Sequence, residues 1–564
     1  MNFVKQMIFR VYTERKHTAG HRAVMMAALC LFSIFVFAAV SMPARRTRQK
    51  PRTDENRVYL NHADELKYDV FGYVPGAQIV KGHVSFAHAG AHLTCDSAYF
   101  FQETNSVKAF GHVRFRQGDT LSLVCDRAFY DGAAQALQAR NHVVLRHRRQ
   151  TLYTDSLNYD RLYNNAYFFE GGKIIDGRDK LSADWGQYST STRQADFYYN
   201  VRLRSGQDLI TTDTLHYDML RRMAHVTGPS VITSKQGKIK TSDGYYDTRR
   251  KRAELFGRST FMDKDKTITG DSLYYTRDGE SEGFGNVVYV DRKNKNSLHC
   301  GYMRYNNVTG RGYATRRALA MEYSQGKDTL YVHADTMRIE TFNINTDSVY
   351  RKVHAWPHAK AYRTDVQAIS DSIVFNSKDS CMTMYRNPVV WNGSRQLFGE
   401  QIDVYMADST VRLARVTGQA MSIELMPDSI HYNQVSSRVM TAFFTDGKIR
   451  QTEAVGNVLV DYYPQDDKDS SLIGLNYTET DTMRMFMTPE RRLSRIWMSK
   501  ATGTLYPMTQ IPPSKIYLPG FQWFAPLRPT DKNDVFVWRG KSSSQELRTV
   551  RRHAAPLQTL GGSR

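Results

Sequence analysis

Several things are scarce in this chain, and each scarcity excludes something. Cysteine occurs 5 times in 564 residues, and Cys30 lies inside an apolar run. The other four, Cys95, Cys125, Cys300 and Cys381, show no metal-knuckle spacing and are too few for a disulfide framework. Proline occurs 16 times, and six of those fall at positions 507, 512, 513, 519, 526 and 529. The single long hydrophobic run is 23–42, and mean hydropathy is −0.53, which excludes a polytopic helical membrane protein. No helix-period stretch occurs outside that run. Nucleotide loops, HExxH and GxSxG are absent, so the common motif-bearing enzyme classes have no foothold.

Acidic residues are outnumbered, 56 against 77 Lys and Arg, for a formal net charge of +21. That charge suggests a nucleic-acid partner until it is located. Residues 1–57 carry +8 and residues 539–564 carry +5, leaving +8 for the body. The body has no zinc-finger or recognition-helix pattern, so no nucleic-acid partner is expected. A basic stretch, the apolar run and Ser41 to Ala44 read as an export signal, either cleaved or kept as an anchor. Residues 1–44 are assigned to it, and 45–57 to a basic linker.

A repeat fills the body. Asp96-Ser-Ala-Tyr-Phe100 recurs as Asp126-Arg-Ala-Phe-Tyr130, Asp155-Ser-Leu-Asn-Tyr159, Asp213-Thr-Leu-His-Tyr217 and Asp271-Ser-Leu-Tyr-Tyr275. Further copies start at Asp371 and Asp428, and weaker ones at Asp64, Asp184, Asp243, Gly301, Asp335 and Glu400. From 96 to 301 the anchors lie 28 to 30 residues apart. A second strip follows about 15 residues later, as Gly82-His-Val-Ser-Phe86, Gly111-His-Val-Arg-Phe115, Asn141-His-Val-Val-Leu145 and Gly285-Asn-Val-Val-Tyr289. Positions +2 and +4 of both strips are apolar. Period-2 patterning makes each strip a strand with one buried face, and the fold class all-β, an elongated repeat array of stacked antiparallel strands. The array is placed at 58–500, with about 13 repeats. A Pro/aromatic-rich segment follows at 501–538, packing along the array or covering its last edge, and then a basic tail at 539–564.

A carboxylate in nearly every repeat does not suit catalysis, which needs one pair at a set separation. Turn capping at strand starts is expected of these aspartates. His83, His112 and His142 share a column and read as an exposed ladder, with a metal ladder as the alternative. Cys95 and Cys125 also share a column, and a disulfide between them stays open. Arg114, Arg116, Arg146, Arg202 and Arg204 flank the Val strips, as solvated charges or, at a groove rim, as phosphate ligands.

The repeated Asp-Ser-Leu-x-Tyr and Gly-Asn-Val strips after an export signal resemble the OstA-like family, the domain shared by LptA and the amino-terminal part of LptD, in a long Bacteroidetes-type form. The resemblance covers about 58–500. It implies an open, V-shaped β-jellyroll whose apolar groove carries the acyl chains of lipopolysaccharide toward the outer membrane through the periplasm. No enzyme, cofactor or metal is implied. Partners would be lipid A and other bridge or translocon proteins of the Lpt type, joined through strand edges. The implied groove candidates are Leu66, Tyr68, Phe86, Phe100, Val113, Phe115, Tyr130, Leu145, Leu157, Tyr159, Leu215, Tyr217, Leu273 and Tyr275. The same five arginines are the headgroup candidates. A closed β-solenoid acting as adhesin or envelope scaffold is the rival, and a polysaccharide enzyme stands third. A sealed cross-section favours the rival, and sheets splayed along one side favour the groove.

Overall fold

The computed structural model describes residues 56–541, except 69–70, 325–327, 345, 408–409, 467–468, 470 and 491–492. The export segment and most of the basic linker and tail lie outside the described residues. Regular structure among the described residues is strand, joined by tight turns and, near the carboxy terminus, four short 3-10 turns. Thirty-six strands form one continuous antiparallel sheet.

One repeat supplies two adjacent strands. Strand Gln78–His88 pairs with Ala91–Phe101, which pairs with Ser106–Gln117, and the meander continues in this way. Every long strand breaks register in its middle, for example between Lys81 and Val84 and between Phe110 and Val113. At most of these breaks two consecutive residues take left-handed backbone angles, as at Gly82 and His83, Gly111 and His112, Asn141 and His142, and Gly285 and Asn286, while at Gly228 and Gly257 only the glycine does. Glycine and asparagine tolerate that region, which explains why the strip begins with them. The break is a bulge that bends the strand and re-aims its side chains.

The bend divides the sheet into two facing walls. The tyrosine wall holds the residues after each Asp anchor, and the valine wall holds those after each Gly or Asn. The first inner residue after the corner is a buried valine at Val84, Val113, Val143, Val201, Val287 and Val458, and a buried serine at Ser230 and Ser259. Apolar residues from both walls meet inside. One core cluster runs from Val58 to Leu273, and a second from Val287 to Ala420.

The two recurring strips are coupled by a hydrogen bond. Asp64 meets His83 at 2.8 Å, Asp96 meets His112 at 2.7 Å and Asp126 meets His142 at 2.7 Å. Asn200 Nδ2 donates to Asp184 at 2.6 Å, Asn286 Nδ2 to Asp271 at 2.9 Å and Gln419 Nε2 to Glu400 at 3.1 Å. The anchor carboxylates at these corners therefore hold the corner side chain of the next strand, and turn capping is confined to others such as Asp428, which accepts from the amides of Ile430 and His431. A Cβ on Gly82 or Gly111 would collide with the carboxylate of Asp64 or Asp96, a second reason for glycine there.

Residues 508–541 run back along the array on the outside of the valine wall. Gln434 reads their backbone twice, donating to the Ile516 carbonyl and accepting from the Leu518 amide, both at 2.9 Å. Gln396 does the same with Gln522 at 2.8 Å and Phe524 at 2.7 Å. Arg528 donates to Gln367 at 2.7 Å, and the buried Lys360 donates to the Asp534 carbonyl at 3.1 Å. Leu518 and Phe524 complete a cluster with Ile369, Trp391, Phe398 and Ile423 on that outer face. The prolines suit this strap, since it needs no ladder hydrogen bonds.

Candidate functional site

Between residues 78 and 260 the space between the walls is filled. Ring pairs occupy it: Phe86 with Phe100 at 5.4 Å, Phe115 with Tyr130 at 6.0 Å and Phe115 with Tyr159 at 6.3 Å. The mouth, on the side away from the corner, is closed by polar pairs about 40 residues apart. Tyr130 bonds His88 at 2.6 Å and accepts from Arg161 at 2.6 Å. The Tyr188 hydroxyl meets His147 at 2.9 Å. Tyr217 donates to Asp179 at 2.9 Å and Tyr246 to Asp208 at 2.7 Å. Asp208 also holds Lys251 at 2.7 Å and Arg277 at 3.2 Å. Burial alone would raise the Asp208 pKa, but Lys251 and Tyr246 hold it below the ordinary value. A gap between Val58, Phe86, Leu93, Phe115 and Tyr130 measures only about 10 Å³, at the limit for a single water.

Beyond Phe261 the interior changes. Alternating buried and exposed positions give way to runs of half-buried ones, as in Lys266–Thr276 and Glu280–Asp291. The inner positions nearest the corner stay buried, and Ala318, Ala359 and Ala420 stand where the first stretch has Val84, Val113 and Val143. The inner positions toward the mouth are apolar and half-buried: Ile268, Leu298, Met303, Ala320, Leu330 and Val332. The pattern resumes with Val404 and Met440, and then with Val435, Met485 and Met498. Alanine cannot bridge the walls as phenylalanine and tyrosine do, and methionine fills irregular space adaptably. The interior beyond Phe261 is therefore apolar and buried at its floor and only half-covered toward its mouth.

The sequence-derived groove candidates fall on both sides of this boundary. Phe86, Phe100, Val113, Phe115, Tyr130, Leu145, Leu157, Tyr159, Leu215, Tyr217 and Leu273 are buried in the filled core. Tyr275 is half-buried, stacked on Phe261 at 5.1 Å where the interior begins to open. Leu66 and Tyr68 lie on the first edge strand, Glu65–Tyr68, and are 56% and 57% exposed. The inner residues from Leu298 onward were not singled out from sequence. Part of their signal is Ala320 and Ala361 at the inner position that Phe86 and Phe115 hold in the first stretch.

Arg114, Arg116, Arg146, Arg202 and Arg204 alternate with buried neighbours and point to the outside of the valine wall, not to the rim of the mouth. His83, His112 and His142 are exposed ladder residues, each held by its carboxylate. Cys95 and Cys125 are free and buried. Cys125 pairs with Val113 of the strand that separates the two, so they stand two strands apart, about 10 Å, beyond disulfide reach. Burial pushes their thiols up to about 11 and about 12, which makes them inert.

The outside of the tyrosine wall carries an unbroken ladder of rings. It runs from Trp185 through Tyr198, His216, His225, Tyr245, Phe256, Tyr274, Phe284 and Tyr302 to Tyr313. Centroid separations lie between 4.3 and 6.3 Å.

Bent antiparallel strands stacked into two facing walls, with a repeated corner, define an elongated β-jellyroll. Residues 55–213 match the family model described as OstA-like protein, and that stretch is OstA-like. The same corner continues past 213, with Asp271 and Asn286, Asp335 and His358, and Glu400 and Gln419. No curated protein matches the chain.

Proposed function

We propose that the chain is a lipopolysaccharide-binding conduit in which acyl chains lie in the trough formed beyond Phe261. The carrying observation is the apolar, half-buried mouth at Leu298, Met303, Leu330 and Val332, beside a filled interior at 78–260. A long alkyl chain suits an apolar trough lined by alanine and methionine, and its headgroup would stay in water at the mouth. The OstA-like match supports a transport or binding role over catalysis. The exported, periplasmic location belongs to the same reading.

Open edges supply the attachment points. Strands Glu65–Tyr68 at one end and Leu493–Ser499 and Thr502–Pro507 at the other each pair on one side only. Leu493, Ile496, Trp497 and Leu505 are exposed there, and Lpt-type bridge or translocon proteins would join by strand addition. The rival reading, a closed scaffold or adhesin, draws on the sealed stretch 78–260. Photo-crosslinkers at Val332 and at Phe115 decide between them. Lipid A adducts at Val332 and none at Phe115 are expected. Absence of lipid A species from the purified protein, together with no saturable binding of added lipopolysaccharide, would overturn the conduit.

A further inference from the structure

The outer face of the valine wall differs along its length. Beyond residue 360 it is apolar and covered by the strap. Between residues 114 and 240 it is basic and uncovered. Cross-strand register sets two parallel rows on it. One row reads, strand by strand, Arg116, Ser122, Arg146, Thr151, Ile175, Lys180, Arg204, Leu209, Thr233 and Lys238. The other reads, strand by strand, Arg114, Val124, Val144, Tyr153, Lys173, Ser182, Arg202, Thr211, Val231 and Lys240. Neither row contains a carboxylate. All nine cations are exposed, and none is among the ion-paired residues described. The corner aspartates on one margin are engaged with their histidines and asparagines. Asp176, Asp179 and Asp208, toward the other margin, are buried on the inner side.

A sheet adds about 4.8 Å per strand, so the ten strands from Ser106–Gln117 to Gly237–Asp247 give a basic face about 43 Å long. Within a strand, the two rows stand about 7 Å apart. Half-buried aliphatics and the exposed Tyr153 sit between the cations. Cations interleaved with aliphatics match a lipid surface, where phosphates lie outermost and the glycerol region just beneath. A free polyanion would use the cations but not the aliphatics.

We infer that this face docks the protein flat against an anionic membrane surface, independently of what lies in the trough. The face points away from the interior, so attachment to the bilayer and cargo between the walls are separate events on opposite sides of one wall.

Vesicle co-sedimentation of the full chain tests this, using phosphatidylcholine vesicles with and without phosphatidylglycerol. The apolar run 23–42 contributes equally to both, and the basic ends, +8 over 1–57 and +5 over 539–564, are shared by wild type and variants, so the comparison between variants isolates the face. The wild type is expected to bind the anionic vesicles more tightly and to lose that excess in high salt. The variant Arg114→Gln, Arg116→Gln, Arg146→Gln, Arg202→Gln, Arg204→Gln is expected to lose at least about tenfold of the anionic excess, with an unchanged melting temperature. The pair Lys108→Gln, Arg127→Gln on the tyrosine wall should keep it. Equal binding to both vesicle types, or an unaffected five-site variant, would overturn the inference. So would tighter capture of heparin than of anionic vesicles, which would make the face a polyanion site. Lipid A crosslinking at Val332 is read separately, so either proposal can fail alone.

Discussion

The stretch 78–260 and the stretch beyond 261 share one corner, one repeat and one pair of walls, yet one is filled and the other open. Side-chain volume at the inner positions makes the difference. Phe86, Phe115, Tyr130 and Tyr217 span the gap in the first stretch, and their hydroxyls or neighbours tie the mouth shut. Ala318, Ala320, Ala334 and Ala359 leave it in the second. Inner side-chain volume can thus change how fully the walls are filled without altering the backbone plan.

Truncation should break this contrast most sharply. Phe115→Ala is expected to cost about 3–5 kcal/mol, because it leaves a cavity among Tyr130, Tyr159 and their neighbours. Leu298→Ala at the open mouth should cost about 1 kcal/mol, since its side chain is only half-buried. Hydrogen exchange read separately over the two stretches distinguishes them, because a repeat array need not unfold as one unit. Equal costs would remove the distinction.

The corner is common to both stretches and provides the internal control. Gly111→Ala and Gly285→Ala should each cost about 1–3 kcal/mol, combining left-handed strain with a clash against Asp96 or Asp271. Gly111→Asn should cost less, as Asn141 already serves the same corner. A large difference between Gly111→Ala and Gly285→Ala would show that the corners are not equivalent.

Three pH effects sharpen the comparison further. Asp461 lies on the strap-covered wall, and burial pushes its carboxyl up to about 7. Its folded pKa exceeds its unfolded value, so the folded state loses stability as pH rises from about 4 to 7. Asp461→Asn should stabilise that region by about 1–2 kcal/mol above pH 7, with solvent screening included, and by nothing near pH 3. Thermal melts at the two pH values check it. Asp208 works in the opposite sense. Its lowered pKa gives stability that is present above about pH 4 and lost in stronger acid, so the closed mouth should loosen first at low pH. The smallest effect belongs to the corners. His83 and His142 are raised by Asp64 and Asp126, so their contribution is present below about pH 6.5 and fades as pH climbs through their raised values. Asp126→Asn should return His142 to an ordinary titration by NMR.

Much of the wall was legible in the sequence, because strand alternation and a fixed repeat are local signals. The Val84, Val113 and Val143 column and the coupled Asp and His columns are read directly from spacing. What was not legible is which part is filled. Closure depends on pairs such as Tyr130 with His88 and Tyr246 with Asp208, set by stacking and not by local pattern. The outward aim of Arg114 and Arg202 was readable from phase, but the rim expectation required knowing where the mouth lies. The strap's course depends on Gln367, Gln396 and Gln434, polar residues on an otherwise apolar outer face, whose role appears only once a backbone lies against them.

The ring ladder on the tyrosine wall has an optical consequence. Trp185 stands at one end of it, 5.1 Å from Tyr198, and tyrosines recur along the strands beyond. Excitation absorbed by those tyrosines can pass from tyrosine to tyrosine by resonance transfer, across the intervening histidine and phenylalanine rings, and emerge as indole emission. The near-ultraviolet circular dichroism of such a coupled series should be strong and should vanish when the wall frays, giving the array an intrinsic light-readable gauge of its own stacking.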